Sequence, residues 1–270
     1  MWNSYSASFG YFEACRLATT SSTAFSVFKS NPWFNKSVGT SSPAHLAAVL
    51  GKIWNAPSAS ISGSFSNFGL SASVASGAFS AAFSSFKSND LIGTPPYVLA
   101  TRYGNIGSDT GRFIETVYNL SSSFGDLSGK KIVEFGSNYG GLAFCVHQWW
   151  PTISSYYMMD FPTVQSMSMV YLSAVSGGID TSSISYDDPS GSAYDIYISE
   201  YCLSEQDTSS LYKHYYDYVK PAIQGFYLRA NFYDQMQFAK FMRTASLDFT
   251  CSVESEPIFR IPNKIIIGKK

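Results

Sequence analysis

The residues best suited by type and spacing to hold a nucleoside lie between Glu134 and Asp160. Gly136-Ser137-Asn138-Tyr139-Gly140-Gly141 is a turn dense in small residues, and such a turn lets a ligand approach the backbone at a helix N-terminus. Asp160 closes a later apolar run, Tyr156-Tyr157-Met158-Met159. An acid at the tip of a second strand can accept hydrogen bonds from both hydroxyls of a ribose. The elements that must position these groups are readable nearby. Lys131-Ile132-Val133-Glu134-Phe135 predicts a strand, and Leu142, Phe144, Cys145, Val146 and Trp149 recur at helical spacing before Pro151. Together these runs predict a βαβ unit with a glycine loop at its first turn.

A dinucleotide site wants G-x-G-x-x-G. Here Asn138 stands where the second glycine would be, which weakens a nicotinamide reading. Asn tolerates left-handed dihedrals better than most residues, so the turn can still form. The pattern E-x-G-x-x-Y-G-G followed by Asp160 resembles the first motif of the class I S-adenosylmethionine (SAM) methyltransferases. That resemblance implies SAM as cofactor, with Glu134 supporting the loop and the methionine amino group. It also places Gly136, Ser137, Tyr139, Gly140, Asp160 and Phe161 around the cofactor. Glycine loops after strands also occur for packing alone.

Length and composition set the limits. At 270 residues the chain can hold one large domain, or one domain with an added helical part. Hydrophobic residues at 45% and aromatics at 17% suffice for a core. A formal net charge of −1 and no cluster of Lys and Arg argue against a nucleic-acid partner. Cys15, Cys145, Cys202 and Cys251 are far apart, with no C-x-x-C, so buried reduced thiols are expected rather than zinc ligands or disulfides. The first residues lack a basic region and an apolar run, and no span reaches bilayer length. The expectation is a protein without a membrane span, in the cytoplasm.

Residues 1–105 are expected to form an N-terminal helical region or cap, and 106–270 the cofactor-binding domain. Ser42-Pro43, then Leu46, Val49, Leu50 and Ile53, predict an amphipathic helix. Phe12, Leu17, Phe25 and Phe28 suggest earlier short helices closed by Asn31-Pro32. The Ser, Ala, Gly and Phe-rich stretch 58–88 carries too many apolar anchors for a solvated tether and reads as loop then helix. Pro95-Pro96-Tyr97 resembles the N-P-P-Y loop of amino-methyltransferases, but Thr94 supplies no carboxamide, so a rigid turn is expected.

The resemblance then narrows. Ile92-Gly93-x-Pro95, Thr110-x-Arg112-Phe113-Ile114, Phe124-Gly125-x-Leu127-x-Gly129-Lys130, the Glu134 to Gly141 loop and Ser204-Glu205 occur in an order similar to the sugar O-methyltransferase family, over roughly residues 90–270. It implies an α/β fold: a Rossmann-like, seven-stranded, mostly parallel sheet with an N-terminal helical cap. The implied activity is methylation of a hydroxyl on a sugar or glycan precursor. The same cofactor residues would serve a small-molecule or protein O-methyltransferase, or a non-catalytic binding module, and oligomeric state is not readable.

The remaining elements fit that frame. A helix begins at Phe161-Pro162, and Ile184 to Tyr186 is a third strand ending at Asp187-Asp188, where the family contacts the adenine amino group. Tyr194 to Glu200 is the fourth strand, followed by the loop from Tyr201 to Glu205 beside the reacting methyl. Gln224 to Asn231 is the fifth, with Tyr227, Arg229 and Asn231 on one side. Thr250 to Glu254 and Lys264 to Ile267 close the sheet as an antiparallel pair.

Methyl transfer to an alcohol needs a general base. Glu205 is the first choice, although it can equally be read as a surface or capping carboxylate. His214 is the rival, and His147 is weaker still. Tyr139 and Tyr201 could flank the sulfonium, and Arg229 and Asn231 could hydrogen-bond the acceptor's hydroxyls. Glu200, taken here as a cofactor residue, could join Glu205 and Asn231 in imitating a catechol-type metal site, but Ala230 breaks the necessary pair. No metal is expected.

Overall fold

The computed structural model describes residues 5–38, 83–101, 104–175, 179–232, 234–256 and 263–270. The helix expected from Ser42 and most of the stretch 58–88 lie outside the described residues.

Seven strands form the main sheet: β3 (Lys131–Phe135), β4 (Ser155–Met159), β5 (Ile184–Ser185), β6 (Ile196–Glu200), β7 (Gly225–Ala230), β8 (Thr250–Ser255) and β9 (Lys264–Lys269). Their order is β5-β4-β3-β6-β7-β9-β8. β3 pairs in parallel with both β4 and β6, and only β9 runs antiparallel to its neighbours β7 and β8. The sheet is Rossmann-like and mostly parallel, with the seven strands the resemblance implies. The chain leaves β3 to one side for β4 and β5 and returns on the other for β6 and β7. The topological switch point therefore lies at the carboxyl end of β3, the place where open α/β sheets bind ligands.

Alternation along each strand feeds two cores. Ile132, Tyr156, Met158, Ile196 and Ile198 face one side, with the helices α4 (Ser108–Phe124), α5 (Gly141–Trp149) and α6 (Pro162–Ala174). Val133, Tyr197, Phe226 and Leu228 face the other, with α7 (Thr208–His214) and α8 (Gln235–Asp248). The helix boundaries have local causes. Asp207 caps α7 by accepting the N–H groups of Ser209 and Ser210, and Asp234 caps α8 through Met236. A π-helical turn, Tyr215–Val219, extends α7 towards Pro221.

The first core includes the N-terminal helices α1 (Tyr5–Thr20), α2 (Ser22–Ser26) and α3 (Pro32–Val38). Tyr11, Cys15, Phe28 and Phe34 belong to the same hydrophobic cluster as Tyr139 and Leu172. Asn31-Pro32 opens a helix as well as closing one: Asn31 Oδ1 accepts the N–H groups of Trp33 and Phe34 at 2.9 and 3.3 Å, with Pro32 as the first helical residue. A two-stranded hairpin, β1 (Val98–Thr101) with β2 (Gly104–Gly107), precedes α4 and was not expected. Its two strands are too short to show an alternating pattern.

Candidate cofactor and active site

The glycine loop takes its shape from left-handed positions. Gly136, Asn138 and Gly140 have φ of +79°, +52° and +88°. A Cβ on Gly136 would sit 2.4 Å from Cys202 Cβ, so both dihedral and space require glycine there. Gly140 caps the N-terminus of α5. Asn138 works through both ends: its N–H donates to Asp160 Oδ2 at 2.8 Å, and its own Oδ1 accepts the Tyr139 N–H at 2.8 Å.

Asp160 is therefore fixed at the tip of β4. Its other oxygen, Oδ1, accepts the Phe161 N–H at 2.7 Å. Each oxygen keeps a further lone pair for an incoming donor. Burial pushes this carboxyl up to about 6, against the two N–H groups that favour the charged form. Ser137 Oγ, inside the loop, is buried and has no hydrogen-bond partner among the described residues. An orphaned hydroxyl of this kind is one a ligand would satisfy.

Other expected cofactor residues sit differently. Glu134 is buried and accepts the Tyr156 hydroxyl at 2.9 Å, and burial pushes its carboxyl well above the usual range. Tyr139 is fully buried. Its ring packs against Phe28, Phe34, Phe113 and Tyr171, and its hydroxyl accepts from Asn89 at 3.2 Å, so its side chain belongs to the core. Phe161 is exposed, with its ring edge-on to Phe12 at 5.0 Å. Asp187 is exposed at the end of β5, and Ser185 Oγ lies 3.2 Å from it.

The chain after β6 brings some candidates together and separates others. Tyr201 takes a φ of +69°, and the turn that follows lays Cys202 against Gly136. Ser204 Oγ donates to Asn231 Oδ1 at 2.6 Å and accepts the Asn231 N–H at 3.0 Å, while Asn231 Nδ2 donates to Glu205 at 3.2 Å. Asn231 thus orients Glu205. Burial first, then the nearby Asp160 and Glu205, raise the Cys202 thiol.

Glu200 and Arg229 belong to a different constellation. Arg229 has no exposed side-chain surface and pairs with Glu115 at 2.8 Å, Glu200 at 3.6 Å and also Glu256. Glu200 accepts Thr116 Oγ1 at 2.5 Å and pairs with Arg112 at 3.1 Å. Tyr201 donates to Glu256 at 3.0 Å. This buried ionic network joins α4 to β6, β7 and the start of the last loop. Arg229 cannot also reach an acceptor hydroxyl, because every face of its guanidinium is enclosed. No local pattern in the sequence shows it, since its members come from four separate segments.

His214 is packed, with its Nε2 2.8 Å from the Tyr197 hydroxyl and its ring 3.9 Å from that of Phe135. Burial lowers it to about 4. His147 bridges Ala143 O and Ser183 Oγ within the core side of α5. Among the described residues, no group of three His, Cys, Asp or Glu could hold a metal ion, no helix is long and apolar enough to cross a membrane, and all four cysteines are free.

The glycine loop, Asp160 and the Ser137 hydroxyl come together at the switch point of the sheet. No protein-family model matches the sequence, and no curated protein matches it. Solved structures with a similar arrangement include magnesium protoporphyrin IX methyltransferase (ChlM) from Synechocystis PCC 6803 with bound SAM. It is 14% identical, with 59% of this chain and 78% of that one aligned and a TM-score of 0.47. The methyltransferase domain of bacterial CtHen1 aligns at 14% identity over 59% and 97%, with a TM-score of 0.46. Precorrin-6y C5,15-methyltransferase from Geobacter metallireducens GS-15 aligns at 11% over 61% and 89%, with a TM-score of 0.41. At these values the substrates of those proteins say nothing about the acceptor here.

Proposed function

We propose that this protein is a SAM-dependent O-methyltransferase acting on a hydroxyl of a sugar or glycan precursor. The observation that carries the cofactor part is Asp160, held by two backbone N–H groups at the tip of β4 beside a left-handed glycine loop. When bound, SAM supplies a methyl group already activated by its sulfonium. The chain's own tasks are then to hold the ribose at Asp160, to meet a polar group of the ligand with Ser137 Oγ, and to place the acceptor oxygen in line. Glu205 takes the alcohol proton on its carboxylate, oriented by Asn231. It is preferred to His214, whose Nε2 is engaged by Tyr197 and whose low basicity suits it poorly to the task.

The sugar assignment rests on the order of sequence motifs alone, so a different small-molecule or protein hydroxyl remains the second acceptor class. Calorimetry with SAM and S-adenosylhomocysteine tests the cofactor. The wild type should bind both, and Asp160→Ala and Gly140→Val should each abolish binding while remaining folded. Glu205→Gln should keep cofactor affinity and lose turnover once an acceptor is found in a sugar and nucleotide-sugar screen. A folded wild type that binds neither compound overturns the proposal.

A further inference from the structure

The chain after β6 holds a buried hydroxyl with a single proton and two close acceptors. Ser204 lies in the short turn Cys202–Glu205. Its Oγ sits 2.6 Å from Asn231 Oδ1 and 2.7 Å from the Tyr201 carbonyl oxygen, and it accepts the Asn231 N–H at 3.0 Å. A serine hydroxyl donates once, so only one of the two oxygens receives the proton at a time. The Tyr201 carbonyl already accepts the Ser204 backbone N–H at 2.9 Å, which leaves the hydroxyl proton to Asn231. On its other side Asn231, the residue after β7, donates from Nδ2 to Glu205 Oε1 at 3.2 Å. A carboxamide turned the other way would set Oδ1 against the Glu205 carboxylate, acceptor against acceptor.

We propose that Ser204 is a positioning residue for the base: by donating to Asn231 Oδ1 it fixes the carboxamide with Nδ2 towards Glu205. This rests on the reading of Glu205 as the base. The second acceptor gives the same hydroxyl a use after proton transfer. Once Glu205 carries the alcohol proton it is a donor, so the amide turns, accepts from Glu205 on Oδ1 and donates from Nδ2 to Ser204 Oγ. The Ser204 O–H then swings to the Tyr201 carbonyl, and Ser204, Asn231 and Glu205 remain hydrogen-bonded to one another in both states. The bond to the ionised carboxylate is the stronger, so fixing the amide favours the charged form of Glu205. Other ionisable groups nearby are committed elsewhere. Burial keeps the Cys202 thiol, on the same turn, neutral. Asp207 holds the Ser209 and Ser210 N–H groups, Asp160 holds those of Asn138 and Phe161, and Arg229 is enclosed by its own carboxylates.

The test is a carbon-13 NMR titration of the side-chain carboxyl groups in glutamate-labelled protein, with the Glu205 signal assigned by its loss in Glu205→Gln. Asn231→Ala should raise the Glu205 pKa by about 1, the worth of one charge-assisted hydrogen bond. Ser204→Ala should raise it by about half that or more, and Ser204→Thr, which keeps the hydroxyl, should return it to the wild-type value. Ser204→Ala placed in the Asn231→Ala background should add nothing, because the hydroxyl acts through the amide. An unchanged Glu205 pKa in Ser204→Ala, or a further rise in the double variant, would overturn the proposal. A second measurement uses the unaltered chain: the Asn231 side-chain amide resonances should move with the Glu205 midpoint, and signals that stay fixed while Glu205 titrates would overturn it as well. A folded wild type that binds no S-adenosylhomocysteine brings down the methyltransferase reading, whatever the titration shows. Normal cofactor binding with no effect of Ser204 on Glu205 brings down this inference alone.

Discussion

Asp160 and Arg229 are both buried charges, and their surroundings give them opposite uses. Among the described residues Asp160 has only backbone N–H partners, and burial raises its carboxyl to about 6. Hydroxyl donors from a ligand would favour its ionised form, so bound ligand should lower that value. Affinity for S-adenosylhomocysteine should therefore be constant above about pH 7 and fall as pH drops through 6. Calorimetry between pH 5 and 8 checks this, and Asp160→Asn should flatten whatever binding remains. Arg229 instead balances Glu115, Glu200 and Glu256 with no exposed surface. Arg229→Met removes the cation those buried carboxylates share, which should cost about 3–5 kcal/mol in urea unfolding. An acceptor-binding arginine on the surface would show almost no loss of stability.

The element that matters most is the turn between β3 and α5. Its glycines are not equivalent to glycine elsewhere in the chain. Gly129 has φ of +71° with nothing within 4 Å of a built Cβ, whereas Gly136 has φ of +79° and Cys202 Cβ 2.4 Å away. Gly129→Ala should cost only the left-handed penalty of about 1–2 kcal/mol. Gly136→Ala should cost clearly more, and the difference between their denaturation midpoints measures how firmly the chain after β6 is pressed onto the loop. Equal costs would mean that Cys202 yields easily. Asn138 at φ +52° solves the same problem without glycine, by using its carboxamide to accept the next N–H.

At the scale of the whole molecule, Lys29 fastens the N-terminal helices to the sheet domain. It is 1% exposed, donates to the Asn89 carbonyl, and holds its ammonium 4.8 Å from the Tyr139 ring centre and 5.3 Å from that of Tyr171. The ring faces attract the charge, yet burial lowers Lys29 to about 8 despite Asp90 and Asp109 nearby. The folded value is below the unfolded one of 10.5, so the unfolded chain binds more protons between about pH 8 and 10.5. The contribution of this group to stability should rise with pH across that window, its cost being complete below 8. Urea unfolding from pH 7 to 10.5 should show this slope in the wild type relative to Lys29→Met. Parallel profiles would refute it.

The sequence by itself determined the sheet and the loop. Short apolar runs, a glycine turn after the first and an acid after the second are local signals. β3, β4, β6, β7 and the closing pair accordingly fall within one or two residues of their expected bounds. Local hydrophobic patterning and turn chemistry fix such elements before any long-range contact is made. Tertiary structure decided which polar residues are available for chemistry. Tyr139, Glu200, His214 and Arg229 have the right types in the right elements, but burial and partners from distant segments engage all of them. Burial and charge pairing depend on what folds over a residue from elsewhere in the chain, and no local spacing records that.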